Sequence, residues 1–120
     1  MLKPQLADLH VHTHYSDGTW TPEDLVREAR AARVAIVAVT DHDTVDGVAP
    51  AQEAADGSGV RIVPGVELSC HYRDAEVHIL GFFVDPGDAA MAERMASIRD
   101  WRIQRIFDMV ERLKALGYTR

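Results

Sequence analysis

Residues 34–40 read Val-Ala-Ile-Val-Ala-Val-Thr, apolar on both strand parities and rich in β-branched side chains. A strand of this kind cannot turn one face to water, so it suits the interior of a parallel sheet covered on both sides by helices. Parallel pairing requires crossovers, and the flanking sequence supplies them. Residues 5–11 alternate weakly and lead into the turn signal Ser16-Asp17-Gly18, as a first strand would. Thr21-Pro22-Glu23-Asp24 offers an N-cap hydroxyl, a proline at the first helical position and acids in the first turn, predicting a helix over residues 22–32. After the apolar strand, Asp46-Gly47 opens a short alanine-rich helix to about residue 56, closed by Gly57-Ser58-Gly59. Residues 60–63 resume a strand. Beyond Pro64-Gly65, residues 66–72 and 76–84 flank Arg73-Asp74-Ala75 as a hairpin. A long helix is expected over residues 88–115, with Gly117 as its stop. The order β-α-β-α-β-β-α predicts an α/β domain with at least two parallel crossovers. Residues 4–120 contain no repeat, low-complexity tract or interdomain linker, and are expected to form one domain.

Nineteen acidic against thirteen basic residues give a formal charge of -6, the wrong sign for gripping long nucleic acid. A small or short anionic substrate remains compatible, and residues 99–120 reverse the balance with six Arg or Lys against three acids. The longest apolar run has six residues, where a membrane span needs about 20. No signal-peptide core follows the start MLKPQLADLH, so a cytoplasmic location is expected. The single cysteine, Cys70, cannot form an internal disulfide and reads as a small half-buried hydrophobe in a strand.

His10 and His12 lie two apart on the first strand, so their side chains leave the same face about 7 Å apart and can reach one metal ion. That spacing alone is a weak signal; the surroundings strengthen it. The first strand runs on to Asp17 in a tight turn, the second ends in Thr40-Asp41-His42-Asp43, the third leads to Glu67, and the hairpin offers His78. Ligand-type residues thus gather at strand ends, where parallel α/β folds build their sites. Imidazole and carboxylate donors without thiolate suit zinc, manganese or iron(II) alike.

The stretches DLHVHTHYSDG, TDHDT, PGVELS and HILGF resemble, in order and spacing, the successive motifs of the PHP (polymerase and histidinol phosphatase) domain. They are most similar to the branch containing nucleoside 3',5'-bisphosphate phosphatases and a short-RNA 5'-exonuclease. The resemblance extends from Gln5 to Gly117. It implies that His10 and His12 bind one metal, that Glu67 bridges to a second also held by His78, and that Asp17 and His42 serve a third. The implied cofactors are two or three divalent ions, Mn, Zn or Fe. The family's later ligands, a histidine or cysteine and then an Asp-x-His motif, are not among these residues. The implied fold is the N-terminal part of a distorted seven-stranded (β/α) barrel more than twice this length. An isolated piece of it is expected to be poorly stable and weakly active.

The implied activity is hydrolysis of phosphate monoesters of nucleotides or short oligonucleotides by a metal-activated water, with no protein nucleophile and no membrane partner. Ser16, Ser69 and Cys70 have no evident partner base and read as structural. Rival readings are a histidinol-phosphate-type phosphatase, a polymerase-associated PHP domain, or a non-catalytic metal-binding module.

His14 is expected at the surface and His71 facing solvent. Asp41 and Asp43 flank His42 closely enough to orient imidazoles, or to cap the following turn. On the last helix, Met91, Met95, Ile98, Ile106, Met109, Leu113 and Leu116 form one apolar stripe with Arg102 at its middle. An arginine on a buried side needs an anionic partner. Arg105 lies about 60° away, near enough to share one anion. The resemblance adds that relatives carry an R-x-x-R segment here that contacts substrate phosphate, so Arg102 and Arg105, with Asp17, are the expected substrate-binding residues.

Overall fold

The computed structural model describes residues 6–118. The expected domain start at residue 4, Gln5 in the first strand, and the terminal Thr119 and Arg120 lie outside them. Strands β1 (Leu6–Val11), β2 (Val34–Val39), β3 (Arg61–Tyr72) and β4 (Ala75–Phe82) form one sheet in that order. The β1–β2 and β2–β3 pairs are parallel and β3–β4 is an antiparallel hairpin. Helices α1 (Pro22–Ala31) and α2 (Val48–Ala55) make the two parallel crossovers, and α3 (Ala89–Ala115) follows the hairpin.

The apolar run takes the inner position its composition required. Val37, Ala38 and Val39 of β2 are fully buried, in a core completed by Leu25, Val26 and Ala29 of α1, Val48 and Ala51 of α2, and Val66 of β3. Helix α1 begins with a capping box: Thr21 Oγ1 accepts from the Asp24 amide at 3.2 Å, and Asp24 Oδ2 accepts from the Thr21 amide at 3.3 Å. Helix α3 ends in a Schellman arrangement. Gly117 takes φ +92°, its amide donates to Lys114 O, and that of Tyr118 donates to Leu113 O.

Two expectations are corrected. Pro64-Gly65 does not interrupt the third strand; β3 runs straight through and changes partner there. Its first part, to Pro64, pairs with β2, and from Gly65 onward it pairs with β4. A residue without an N–H is tolerated at such a switch. Gly65 is required by crowding, since a Cβ there would stand 2.9 Å from Val39 O and 3.0 Å from Gly81 O. The second correction concerns α3. Only its first half packs on the domain, through Met95 with Met91 at its flank. Ile106, Met109, Leu113 and Leu116 are exposed, as are Ile103, Phe107 and Val110. Periodicity marked the stripe, but among the described residues nothing covers its second half.

No helix among the described residues is long and apolar enough to cross a membrane.

Candidate metal centre

Backbone pairing assembles the site. Beyond the end of β2, Glu67 N donates to Asp41 O at 3.1 Å and Asp43 N donates to Glu67 O at 3.0 Å, so a parallel bridge sets His42 beside Glu67. His78 stands opposite Ser69 in the hairpin, on the face that alternation also gives Glu67. His10 lies in β1, and His12 directly beyond it.

The result is one buried carboxylate ringed by imidazoles. Glu67 Oε2 lies 2.9 Å from His10 Nε2, 2.8 Å from His12 Nε2 and 3.6 Å from His42 Nε2, while Oε1 lies 2.9 Å from His78 Nδ1. Asp17 extends the cluster outward, with Oδ1 2.6 Å from His12 Nδ1 and Oδ2 3.7 Å from His42 Nε2. Three overlapping groups result: His10, His12 and Glu67; His12, Asp17 and His42; His42, Glu67 and His78. All six residues singled out from the sequence meet here. His12, His42 and Glu67 each join two of these groups.

Within each group the donor atoms lie within 4.8 Å of one another, close enough that small side-chain adjustments would bring them to bonds of about 2.0–2.2 Å around one ion. The charge state agrees. The hydrogen bond with His12 holds the Asp17 carboxyl below its usual range, with the nearby His12 and His42 charges acting the same way. Burial pushes Glu67 up, but the bond from His10, the His42 charge and the bond from His78 outweigh it and leave it lowered. Both carboxylates are therefore ready as anionic ligands. The four imidazoles follow one another with ring centroids 4.6–5.1 Å apart, so that their ring nitrogens face one small volume around Glu67. His42 Nδ1 is buried without a hydrogen-bond partner. Divalent cations would satisfy this arrangement, and the donor set fits them.

The supporting residues act otherwise than expected. Among the described residues neither Asp41 nor Asp43 forms a hydrogen bond to an imidazole. Buried Asp41 accepts from Thr13 N at 2.7 Å, Thr13 Oγ1 at 2.7 Å and Ser16 Oγ at 2.6 Å, pinning the loop that carries Asp17. Two glycines allow that closeness. A Cβ at Gly18 would meet His12 O at 2.4 Å, and one at Gly47 would meet Asp41 Oδ2 at 2.7 Å. Asp43 accepts from Ser69 N at 2.8 Å and from Arg102 Nη1 at 3.0 Å, while its carbonyl accepts from Arg99. The anion facing Arg102 is thus the protein's own, and Arg105 does not share it; its guanidinium lies 5.6 Å from the Trp101 ring centroid.

Sequence reasoning missed Glu76, whose Oε1 is 3.3 Å from His78 Nε2 while Nδ1 faces Glu67. This carboxylate–imidazole arrangement orients a ligand and raises its basicity. The signal was present: Glu76 and His78 share the two-residue spacing that singled out His10 and His12. His14 stacks on Tyr15 outside the three groups, and exposed His71 sets its ring against Trp101. Cys70 is a free, half-buried residue of β3.

A histidine and carboxylate cluster built from the ends of β1 and β2 and from the hairpin of an α/β sheet defines a metal-site class of protein. The chain belongs to the PHP domain family, whose model matches residues 8–107. It is 40% identical over 110 residues to a 3',5'-nucleoside bisphosphate phosphatase of Chromobacterium violaceum, covering 92% of this chain and 39% of that protein. It is 43% identical over 111 residues to the 5'-3' exoribonuclease Rnm of Escherichia coli K12, covering 91% and 38%. A solved structure from Bifidobacterium adolescentis, described as a candidate metal-dependent phosphoesterase, superposes with a TM-score of 0.83 at 39% identity, over 94% of this chain and 40% of that one. The chain therefore spans about two fifths of the length of these relatives. Its mixed sheet and two crossovers are those of part of the family fold.

Proposed function

We propose that this chain is the N-terminal part of a metal-dependent phosphoesterase acting on phosphate monoesters of nucleotides or short oligonucleotides. The observation that carries the reading is Glu67 Oε2, buried and approached by three imidazole nitrogens within 3.6 Å. His10, His12, Asp17, His42, Glu67 and His78 would hold two or three divalent ions, of manganese, zinc or iron. Bound there, such ions supply Lewis acidity toward phosphate oxygens and lower the pKa of a water nucleophile. The chain's own residues do the rest. Glu67 places imidazoles from β1, the β2 end and β4 around one point, Glu76 fixes the orientation of His78, and Asp41 holds the Asp17 loop at the open side. Asp17, whose side chain is 66% exposed, is the most open of these donors and is assigned to substrate contact together with Arg102 and Arg105 of α3. The relatives' names, a nucleoside bisphosphate phosphatase and an exoribonuclease, support a nucleotide-like substrate of small size.

The test uses the natural full-length protein: metal analysis, with phosphate release from a nucleoside 3',5'-bisphosphate. Wild type should contain divalent metal and release phosphate, and Glu67→Gln should lose both. A wild-type protein without metal or turnover would refute the reading.

A further inference from the structure

Three of the four imidazoles around Glu67 are oriented by hydrogen bonds. His12 is held by Asp17 and Glu67 at 2.6 and 2.8 Å, His78 by Glu67 and Glu76 at 2.9 and 3.3 Å, and His10 by Glu67 at 2.9 Å. His42 differs. Its Nε2 stands 3.6 Å from Glu67 Oε2 and 3.7 Å from Asp17 Oδ2, too far for a hydrogen bond, and its Nδ1 is buried without a partner. A metal-binding histidine is ordinarily turned to its ion by a bond at the other ring nitrogen. Among the described residues none does this for His42, so the place of its ring follows from its backbone.

That backbone is tied on both sides of His42. The Glu67 amide donates to Asp41 O and the Asp43 amide to Glu67 O, which closes the bridge to β3. Directly after His42 the chain turns through Asp43 at φ +51°, a left-handed conformation that a residue other than glycine keeps only where its surroundings hold it. The hairpin and α3 do the holding. Ser69 N donates to Asp43 Oδ1 at 2.8 Å and Arg102 Nη1 to Oδ2 at 3.0 Å. Arg99 Nη1 donates to the Asp43 carbonyl oxygen at 2.6 Å, across 56 positions of sequence. Arg99 lies four residues beyond buried Met95, so the side chain that seats α3 on the core and the one that grips the His42 loop share one face of the helix. A charged donor strengthens a bond to a peptide carbonyl, and here it is directed at the residue following a metal-type histidine.

We propose that Arg99 and Asp43 are positioning residues for the metal centre, through which the docking of α3 fixes His42 beside Glu67. They do for His42 what Glu76 does for His78, acting on the backbone of the ligand instead of its ring. The proposal rests on the metal-dependent reading of the six donors. It makes the affinity for any ion that His42 shares depend on a helix that carries none of those donors.

The experiment uses the natural full-length protein and reads two quantities, the first without any ion. In chelator-treated protein, hydrogen exchange at the Asp43 and Glu67 amides should be about tenfold faster in Arg99→Gln than in wild type, a local opening of the bridge. Exchange at the Thr40 amide, which donates to Val11 O between β1 and β2, should be unchanged. Asp43→Asn, which tolerates the same backbone conformation but turns an NH2 group toward donors, should behave as Arg99→Gln does. The second quantity is zinc affinity, measured by competition with a chromophoric chelator. Arg99→Gln should weaken it about tenfold, the scale on which residues supporting a ligand act, and Arg99→Lys, which keeps a charged donor for the carbonyl, should recover most of the loss. In a His42→Ala background, Arg99→Gln should leave the remaining zinc affinity within about twofold, because the coupling runs through His42. Wild-type exchange in Arg99→Gln or Asp43→Asn, an equal loss of affinity in both backgrounds, or an Arg99→Lys variant as weak as Arg99→Gln would each overturn the proposal. A wild type that takes up no zinc, with exchange still accelerated in Arg99→Gln, would instead remove the metal-dependent reading and sustain Arg99 as the residue that holds His42 beside Glu67.

Discussion

Arg102 Nη1 donates to Asp43 Oδ2 at 3.0 Å across 59 positions of sequence, and the same nitrogen reaches Ser69 Oγ at 3.2 Å. The Asp43 side chain is 1% exposed and its backbone is held at φ +51°. It joins the loop that carries His42, the strand that carries Glu67, and α3.

Removing the cation leaves a buried carboxylate short of a partner. Arg102→Met is expected to lower stability by about 1–3 kcal/mol, toward the lower end because the arginine is itself 47% exposed. Arg102→Lys should recover only part, since a lysine cannot reproduce the guanidinium geometry. Denaturant titration of the full-length variants checks this; a midpoint unchanged in Arg102→Met would show that the pair does not hold α3.

Asp41 accepts three hydrogen bonds while fully buried. Asp41→Asn substitutes an NH2 for one acceptor oxygen and sets it against groups that themselves donate. A loss of about 1–3 kcal/mol is expected. Faster hydrogen exchange at the Gly18 amide, which donates to Thr13 O, should accompany it. Wild-type exchange at that amide would dissociate Asp41 from the Asp17 loop.

The bond to Glu76 raises the pKa of His78 above its ordinary value, with Glu67 assisting against partial burial. A raised imidazole contributes stability that is fully present below its unfolded pKa and is lost as pH rises through the folded one. In metal-free protein, Glu76→Gln should therefore shift the His78 titration downward and remove part of the stability seen on the acid side. An NMR titration reads the first effect, and an unshifted His78 would contradict the assigned contact.

The second half of α3 presents Ile106, Phe107, Met109, Val110 and Leu113 to solvent. Apolar surface of that extent promotes association. The 120-residue chain alone should self-associate at micromolar concentration, and Ile106→Glu with Leu113→Glu should return it toward monomer in analytical ultracentrifugation. A wild-type chain that sediments as monomer would show the face to be tolerated.

Local chemistry made most of the site legible. The i, i+2 spacing of His10 and His12, the turn at Asp17 and the TDHDT segment after an apolar strand mark donors at the ends of β1 and β2, while Glu67 and His78 lie within the hairpin strands β3 and β4. Parallel topology then obliges those ends to converge. Helix boundaries were equally readable where caps define them, as at Thr21 and Gly117.

The sequence by itself determined the inner strand, the two crossovers and the set of metal-type donors, because periodicity, capping and alternation act over a few residues. Tertiary structure alone decided which donors share a group, that β3 passes unbroken through Pro64-Gly65 while exchanging β2 for β4, and that Asp41 and Asp43 serve backbone and arginine instead of imidazole. It also decided the fate of the α3 arginines. A helical wheel placed Arg102 on an apolar face and asked for an anion, but only the approach of a residue 59 positions away could show that the anion was Asp43. Such choices depend on distances between segments remote in the chain, and no local pattern encodes them.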